Sequence, residues 1–318
     1  MATTPAGNPY VESSDLVANY PATSLALANR LDKYAVNPFA DATARDAAIP
    51  TPVQGQLAQT LDDNKVWRYD GTAWVPFSGA VGAASFTNTP TGTYQDAGIN
   101  YKYITFTGTG NFEVDVAGFA TILVVGAGAG GGSSNISGYA AGGGGAGQVF
   151  EYEVYLSVQT MTAIIGAGGA GGASTGSFDG AAGFPSSIGF YLASGGGGGG
   201  SRSSPGLNGA SGGGGGGSGA SPGGSAFSTL TGHDGAAGTS QAIGGGGGGS
   251  SAAGSGLTGG AGTSSSLTNV ATTFGAGGDS TGNANAPANT GDGGQGSIVN
   301  GATAGAGASG IITIRVVV

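Results

Sequence analysis
Residues 194–220 read SGGGGGGSRSSPGLNGASGGGGGGSGA, two six-glycine runs separated by a short polar segment. Further runs fall at 142–145 and 244–249, and residues 126–318 hold 63 of the chain's 73 glycines. Each ordered glycine loses more backbone entropy than any other residue, and this tract has too few Leu, Ile and Phe for an ordinary side-chain core. Order there has to come from backbone hydrogen bonding. Collagen is excluded, because glycine does not recur at every third position and only Pro185, Pro205, Pro222 and Pro287 follow residue 125. The remaining ordered form is polyglycine II-like, a left-handed three-fold helix rising about 3.1 Å per residue, so that six residues span roughly 19 Å. One such helix has no internal hydrogen bonds. Packed side by side with no Cβ between them, several exchange N–H···O=C bonds worth on the order of 1 kcal/mol each. A flexible linker would need neither glycine runs of matched length nor a hydrophobic strand beyond them.

That strand is IITIRVVV, residues 311–318. Left free it would be an aggregation hazard, so it is expected to return and pair with earlier strands. Residues 166–309 then become one large insertion in a β scaffold. Other strand candidates are YKYITF (101–106), NFEVDV (111–116), ATILVV (120–125), QVFEYEVY (148–155) and 161–165. Upstream, Asp70-Gly71 lies between KVWRY (65–69) and AWVPF (73–77), a hairpin signal because glycine accepts the positive φ of such turns. Earlier still, Thr23 or Ser24 can cap a helix over 25–34 with Leu27, Leu31 and Tyr34 on one face. The expected fold is mainly β: an N-terminal segment with a short helix (1–40), a small β unit (41–79), a linker (80–93), and a β-sandwich-like scaffold (94–318) carrying the glycine-rich, polyglycine II-like tract (126–310).

Composition narrows the function. Charged residues make up 8% of the 318 residues, against about 25% in an average domain. Net charge is −9, and past residue 125 the only cations are Arg202 and Arg315, so nucleic acid is not an expected partner. There is no cysteine, which removes disulfides and thiolate metal sites. The first residues lack the basic and apolar regions of a signal peptide, and no apolar run approaches the length of a membrane span. Export by a signal peptide and membrane insertion are therefore not expected. Gly126-x-Gly128-x-x-Gly131 follows a strand and matches a dinucleotide fingerprint, with Glu151 twenty residues beyond. That chemistry needs a helix starting at the glycines, and residues 132–142 have no helical character, so a nucleotide-binding enzyme is a remote alternative. His233 is the single histidine, and no G-x-S-x-G elbow sits on a strand-to-helix turn. No enzyme activity, cofactor or metal is expected, and Glu151 and Glu153, on one strand face, read as solvated surface.

The segments at 8–21 (NPYVESSDLVANYP), 37–77, 100–132 (ending ILVVGAGAGGG), 163–172 (AIIGAGGAGG) and 307–318 (GASGIITIRVVV) carry a family likeness. In their order the chain resembles bacteriophage tail-fibre and related virion fibre proteins with a C-terminal glycine-rich domain. The resemblance implies a virion structural protein, usually a homotrimer, whose N-terminal part attaches to other virion proteins. It also implies receptor recognition, of a host glycan or outer-membrane protein, by loops between glycine segments. The non-glycine tips are the binding candidates: Tyr139, Ser201, Arg202, Ser203, Asn208, His233, Asp234 and Asn269. Leu27, Leu31, Tyr34, Trp67 and Trp74 are the candidates for assembly or attachment, while Tyr191, Phe227 and Phe274 are expected to plug gaps at the array edge. The absence of a long coiled-coil or β-helix shaft points to a short fibre or appendage tip, with a capsid-decorating fibre or tail adaptor as the alternative.

Overall fold
The computed structural model describes residues 2–3, 9–10, 36–62, 65–77, 82–175, 178–298 and 302–318. They form two units, Met1–Gly82 and Ala83–Val318. The expected helix over 25–34, with Leu27, Leu31 and Tyr34, lies outside the described residues. In the first unit β1 (Ala2–Thr3) pairs antiparallel with β2 (Pro9–Tyr10). A separate sheet runs in the order β3 (Asn37–Phe39), β4 (Leu57–Thr60), β5 (Lys65–Tyr69) and β6 (Trp74–Pro76). β3 and β4 are parallel, and between them in the chain lies α1 (Ala42–Ala48). A purely β reading of 41–79 misses this helix. It forms because the Asp41 carboxylate accepts the Ala44 N–H at 2.8 Å, and four alanines follow among the next seven residues. The Asp70-Gly71 hairpin forms as expected: Gly71 has φ 111°, Tyr69 pairs with Trp74, and Asp70 Oδ1 accepts from Thr72 N at 2.8 Å and Ala73 N at 2.9 Å.

The second unit contains β7 (Ser85–Phe86), β8 (Gly92–Asp96), β9 (Ile99–Phe106), β10 (Gly110–Val116), β11 (Gly118–Val125), β12 (Val149–Leu156), β13 (Gln159–Ile164), β14 (Ser186–Ile188), β15 (Tyr191–Ala193), β16 (Thr263–Ser265), β17 (Thr272–Phe274) and β18 (Ile311–Val317). One sheet has the order β12-β11-β18-β9-β8 and another β15-β14-β13-β10-β7. Side chains alternate across a strand. Ile122, Val124, Ile312 and Ile314 of the first sheet therefore share a core with Phe112, Val114, Met161 and Ile188 of the second. The C-terminal run returns as expected, between β11 and β9 and antiparallel to both. Two differences from expectation concern neighbouring pieces. β7 and the first residues of β8 fall inside the expected linker, because Phe86 is buried against Phe112 with ring centroids 5.4 Å apart. A lone aromatic among small residues has no periodicity to announce a strand. The insertion also contributes β14 and β15 to the scaffold, and the β16–β17 region covers the outer side of the first sheet, where Leu267 and Phe274 meet Leu123, Val125 and Val149.

Beyond the sheets the chain continues as extended columns. β11 leads into 126–133, and 140–148 leads back into β12; 165–173 follows β13, 178–185 precedes β14, 194–201 follows β15, and 303–310 precedes β18. Along 126–133 the N–H groups point in three directions in turn. Ala127, Gly130 and Ser133 donate to Phe184, Ala181 and Phe178; Gly128 and Gly131 donate to Ala308 and Gly305; Ala129 and Gly132 donate to Gly145 and Gly142. The carbonyls repeat the cycle, accepting from Gly196 and Gly199, from Gly169 and Gly172, and from Gly294 and Ser297. A three-residue period with every bond going to another segment is the polyglycine II pattern. Three columns receive and three donate, so 126–133 is surrounded on all six sides. No glycine of the four runs has a positive φ, in keeping with the left-handed three-fold form.

The glycine positions of the runs are closed to a side chain. A Cβ on Gly142 would meet the Gly214 carbonyl oxygen, one on Gly144 the Ala129 oxygen, one on Gly197 the Leu207 oxygen and one on Gly214 the Gly245 oxygen, all far inside van der Waals contact. The obstructing atoms are backbone and cannot rotate away. Overpacking an adjustable core already costs about 1–3 kcal/mol. Gly197→Val and Gly214→Val are therefore expected to lower the thermal midpoint by several degrees or to abolish soluble folded protein, whereas Ser203→Val, at an exposed position, leaves it unchanged. Thermal unfolding followed by circular dichroism checks this, and equal midpoints for all variants and the parent would contradict the packed array.

Candidate functional site
The columns carry their connecting loops to one end. Gly132 N–H bonds Gly142 O, Gly142 N–H bonds Gly200 O, Gly200 N–H bonds Gly214 O, and Gly143 N–H bonds Gly245 O. These ties align the loops 134–139, 201–204, 218–220 and 239–242 at the end away from the sheets. Eight residues at about 3.1 Å each put them roughly 25 Å beyond the strand ends.

Two candidates from separate loops meet there. The Arg202 guanidinium carbon lies 5.6 Å from the Tyr139 ring centroid, within cation–π range, although 63 residues separate them in sequence. Both side chains are half-buried, and Ser203 beside them is exposed. Ser201 is buried and serves the turn instead: its N–H donates to Asp179 Oδ1 at 2.6 Å, and its hydroxyl lies 2.8 Å from Ser204 Oγ. The turn closes through Ser204 N–H to Ser201 O, and Ser218 N–H bonds Arg202 O at 2.8 Å. Arg202 Nε is buried with no hydrogen-bond partner among the described residues. The loop end thus offers a cation on an aromatic ring, with Ser203, Thr239, Ser240 and Gln241 of the same loops exposed.

The other candidates are not tips. His233 and Asp234 belong to a column: their carbonyls accept from Gly212 and Gly254, His233 Nδ1 lies 3.3 Å from Gly249 O, and Asp234 Oδ1 accepts from Ala226 N at 2.8 Å. Asn208 is likewise in a column flanking a run, its Oδ1 accepting from Ser225 N at 2.7 Å. Asn269, with φ 65°, turns the chain between β16 and β17, near the sheet rather than the loop end. A polar side chain fits a column wherever that column is at the edge of the array, so polarity alone does not mark a tip. Trp67 and Trp74 lie in the first unit, both on the buried Arg45, whose guanidinium carbon is 5.3 and 4.8 Å from their rings. Of the expected gap-fillers, Phe274 is buried and Tyr191 packs on the main core, but Phe227 is 71% exposed.

The fingerprint glycines are fully committed to the array. Gly126, Gly128 and Gly131 donate to Gln148 O, Ala308 O and Gly305 O, and the chain after them is a column rather than a helix, so no free amides face a phosphate. Glu151 accepts from Ser265 Oγ at 2.6 Å. Among the described residues no three His, Asp or Glu side chains converge on a point that could hold a metal ion. Asp279 and Asp292 share a cleft, yet each carboxylate caps the array, accepting from Gly259 N and Ala276 N at 2.8 Å.

A family model described as a glycine-rich domain matches residues 104–317, more than half of the chain. No curated protein matches it.

Burial raises the Asp292 carboxyl above its ordinary value of 3.8, against the lowering effect of its bonds from Ala276, Thr290 and Gly275. A folded-state pKa above the unfolded one means that the folded chain holds more protons in that window. This contribution to stability is present at acid pH and is lost as pH rises from 3.8 through the folded value. Asp292→Asn keeps an oxygen for Ala276 N–H and removes the titration. The parent's thermal midpoint is expected to fall relative to the variant's between acid pH and neutrality; parallel profiles in a pH series would refute it.

Proposed function
We propose that this chain, which belongs to the glycine-rich domain family through residues 104–317, is a bacteriophage virion protein, a short tail fibre or appendage tip that binds the host surface through the far loops of its array. The observation carrying this reading is the Arg202–Tyr139 contact between two loops that the glycine columns align at one end. A backbone lattice needs few loop side chains beyond Ser134 and Ser201 for packing, which leaves polar and aromatic groups of the loops for recognition. Aromatic faces cover the apolar faces of sugars or protein side chains, and the amides and hydroxyls nearby satisfy polar groups. The N-terminal unit serves attachment to other virion proteins in this reading, and the protein assembles as a homotrimer.

Purified full-length chain at saturating concentration is expected to block adsorption of the phage that carries it. Tyr139→Ala and Arg202→Ala should weaken that block by tenfold or more with unchanged thermal midpoints. Folded protein that leaves adsorption intact would remove receptor binding and leave a capsid-decorating fibre or tail adaptor, which localisation in the particle by electron microscopy would identify. Light scattering at micromolar concentration is expected to give three times the chain mass of 29.8 kDa, and a stable monomer would refute the trimer.

A further inference from the structure
The outer face of the β12-β11-β18-β9-β8 sheet is divided. Its half nearest the columns is covered by Leu267 and Phe274. In the other half a cavity of about 140 Å³ opens between Tyr101, Phe119, Thr121, Glu153, Arg315 and Val317. Strand register explains this set. Glu153 is opposite Thr121, and Thr121 is opposite Arg315, so an acid, a hydroxyl and a cation lie in one row across three strands and on one face. Phe119 stands two residues from Thr121 on the same face and is 41% exposed, its ring edge-on to Tyr155 at 5.9 Å.

Arg315 is held in place by neutral groups. Its Nη1 donates to the Tyr94 hydroxyl at 3.0 Å and its Nη2 to Thr121 Oγ1 at 3.2 Å, and its guanidinium carbon lies 4.8 Å from the Tyr101 ring. Tyr94 stacks on Tyr101 at 5.1 Å and donates to Leu267 O at 3.1 Å, which ties the group to the covered half of the face. Among the described residues the one ion pair is Arg45 with Asp46, so Arg315 carries its charge without a carboxylate. Glu153 is two strands away, its backbone roughly 10 Å off at about 4.8 Å per strand, and makes no ion pair with Arg315. A guanidinium has five donors, and Arg315 uses two of them here. The rest remain for a planar anion, which guanidinium groups bind in a two-pronged fashion.

We infer that this cavity is a second binding site, for a saccharide bearing a carboxylate. The sugar carboxylate sits on Arg315, hydroxyls of the ring donate to Glu153, and the apolar ring face rests on Phe119. The cavity is well below the roughly 300–1,000 Å³ of drug and cofactor pockets, so it takes one sugar unit of a chain rather than a folded segment. Its residues stand on strands whose geometry is fixed by the sheet, unlike the loop end. This site does not depend on the receptor reading of the far loops and can be tested apart from it.

The probe is a glucuronate-containing tetrasaccharide, titrated calorimetrically into the full-length chain beside a neutral glucose tetrasaccharide. The acidic probe is expected to bind at least tenfold tighter than the neutral one. Arg315→Gln should remove that preference. Because Arg315 also supports Tyr94 and Tyr101, two exposed positions provide independent variants: Glu153→Gln and Phe119→Ala should each weaken binding at least fivefold with the parent's thermal midpoint. No binding of the acidic probe at millimolar concentration, equal affinity for the neutral one, or undiminished binding by both exposed variants would overturn the site.

Discussion
The second unit depends on one kind of contact, a backbone N–H of one column meeting a backbone carbonyl of the next with no Cβ between them. A three-fold helix directs successive N–H groups outward at three angles, so it cannot satisfy itself and must be surrounded. Column 126–133 has neighbours on every side, and added Cβ atoms within it strike carbonyl oxygens from separate segments. The entropy that glycine loses on ordering is offset only when all of these bonds form together. A partly built array would leave buried amides without partners, each costing about 1–3 kcal/mol. That makes the array cooperative across segments far apart in the chain.

The sandwich supplies what the columns lack, a defined starting level. Val125 is opposite both Val149 and Ile311 in the first sheet, so the segments attached to these three strand ends leave the sheet in step. From there 126–133, 140–148 and 303–310 keep the alignment through Gly126 N–H to Gln148 O and Gly128 N–H to Ala308 O. The side-chain core of Ile122, Val124, Ile312 and Ile314 therefore sets the register of a second core that has almost no side chains. The change of core type happens within one residue step, at Val125 to Gly126.

In such an array most loop side chains are relieved of packing duty, with Ser134 and Ser201 the buried exceptions. The 201–204 turn is closed by its own Ser204 N–H to Ser201 O bond, and the columns on either side meet it at Gly200 and Pro205. Arg202 can then lie on Tyr139 without either residue being needed to hold the columns together. The outer sheet face works by the opposite logic. There Arg315, Thr121 and Tyr101 are fixed by strand register and stay in place because the sheet does.

Much of the architecture was legible in the residues. Absent Cβ atoms left backbone packing as the source of order, the alternating apolar runs announced β9 to β13 and β18, and Asp70-Gly71 announced the β5–β6 hairpin, because these signals are local or compositional. Phe86 and α1 were not legible, since one depends on a distant partner, Phe112, and the other on a cap and a run of alanines too short to show periodicity. For the candidate site, the residue types were readable but their places were not: Tyr139 and Arg202 converge at one end, whereas His233, Asp234 and Asn208 line columns and Asn269 turns a hairpin. The sequence by itself determined that glycine columns hang from a β scaffold closed by the C-terminal strand. Only the tertiary structure decided which column lies beside which, which loops share an end, and that Glu153, Thr121 and Arg315 form a row, because glycines carry no side chain to mark a neighbour and many bonds between columns join residues remote in the chain.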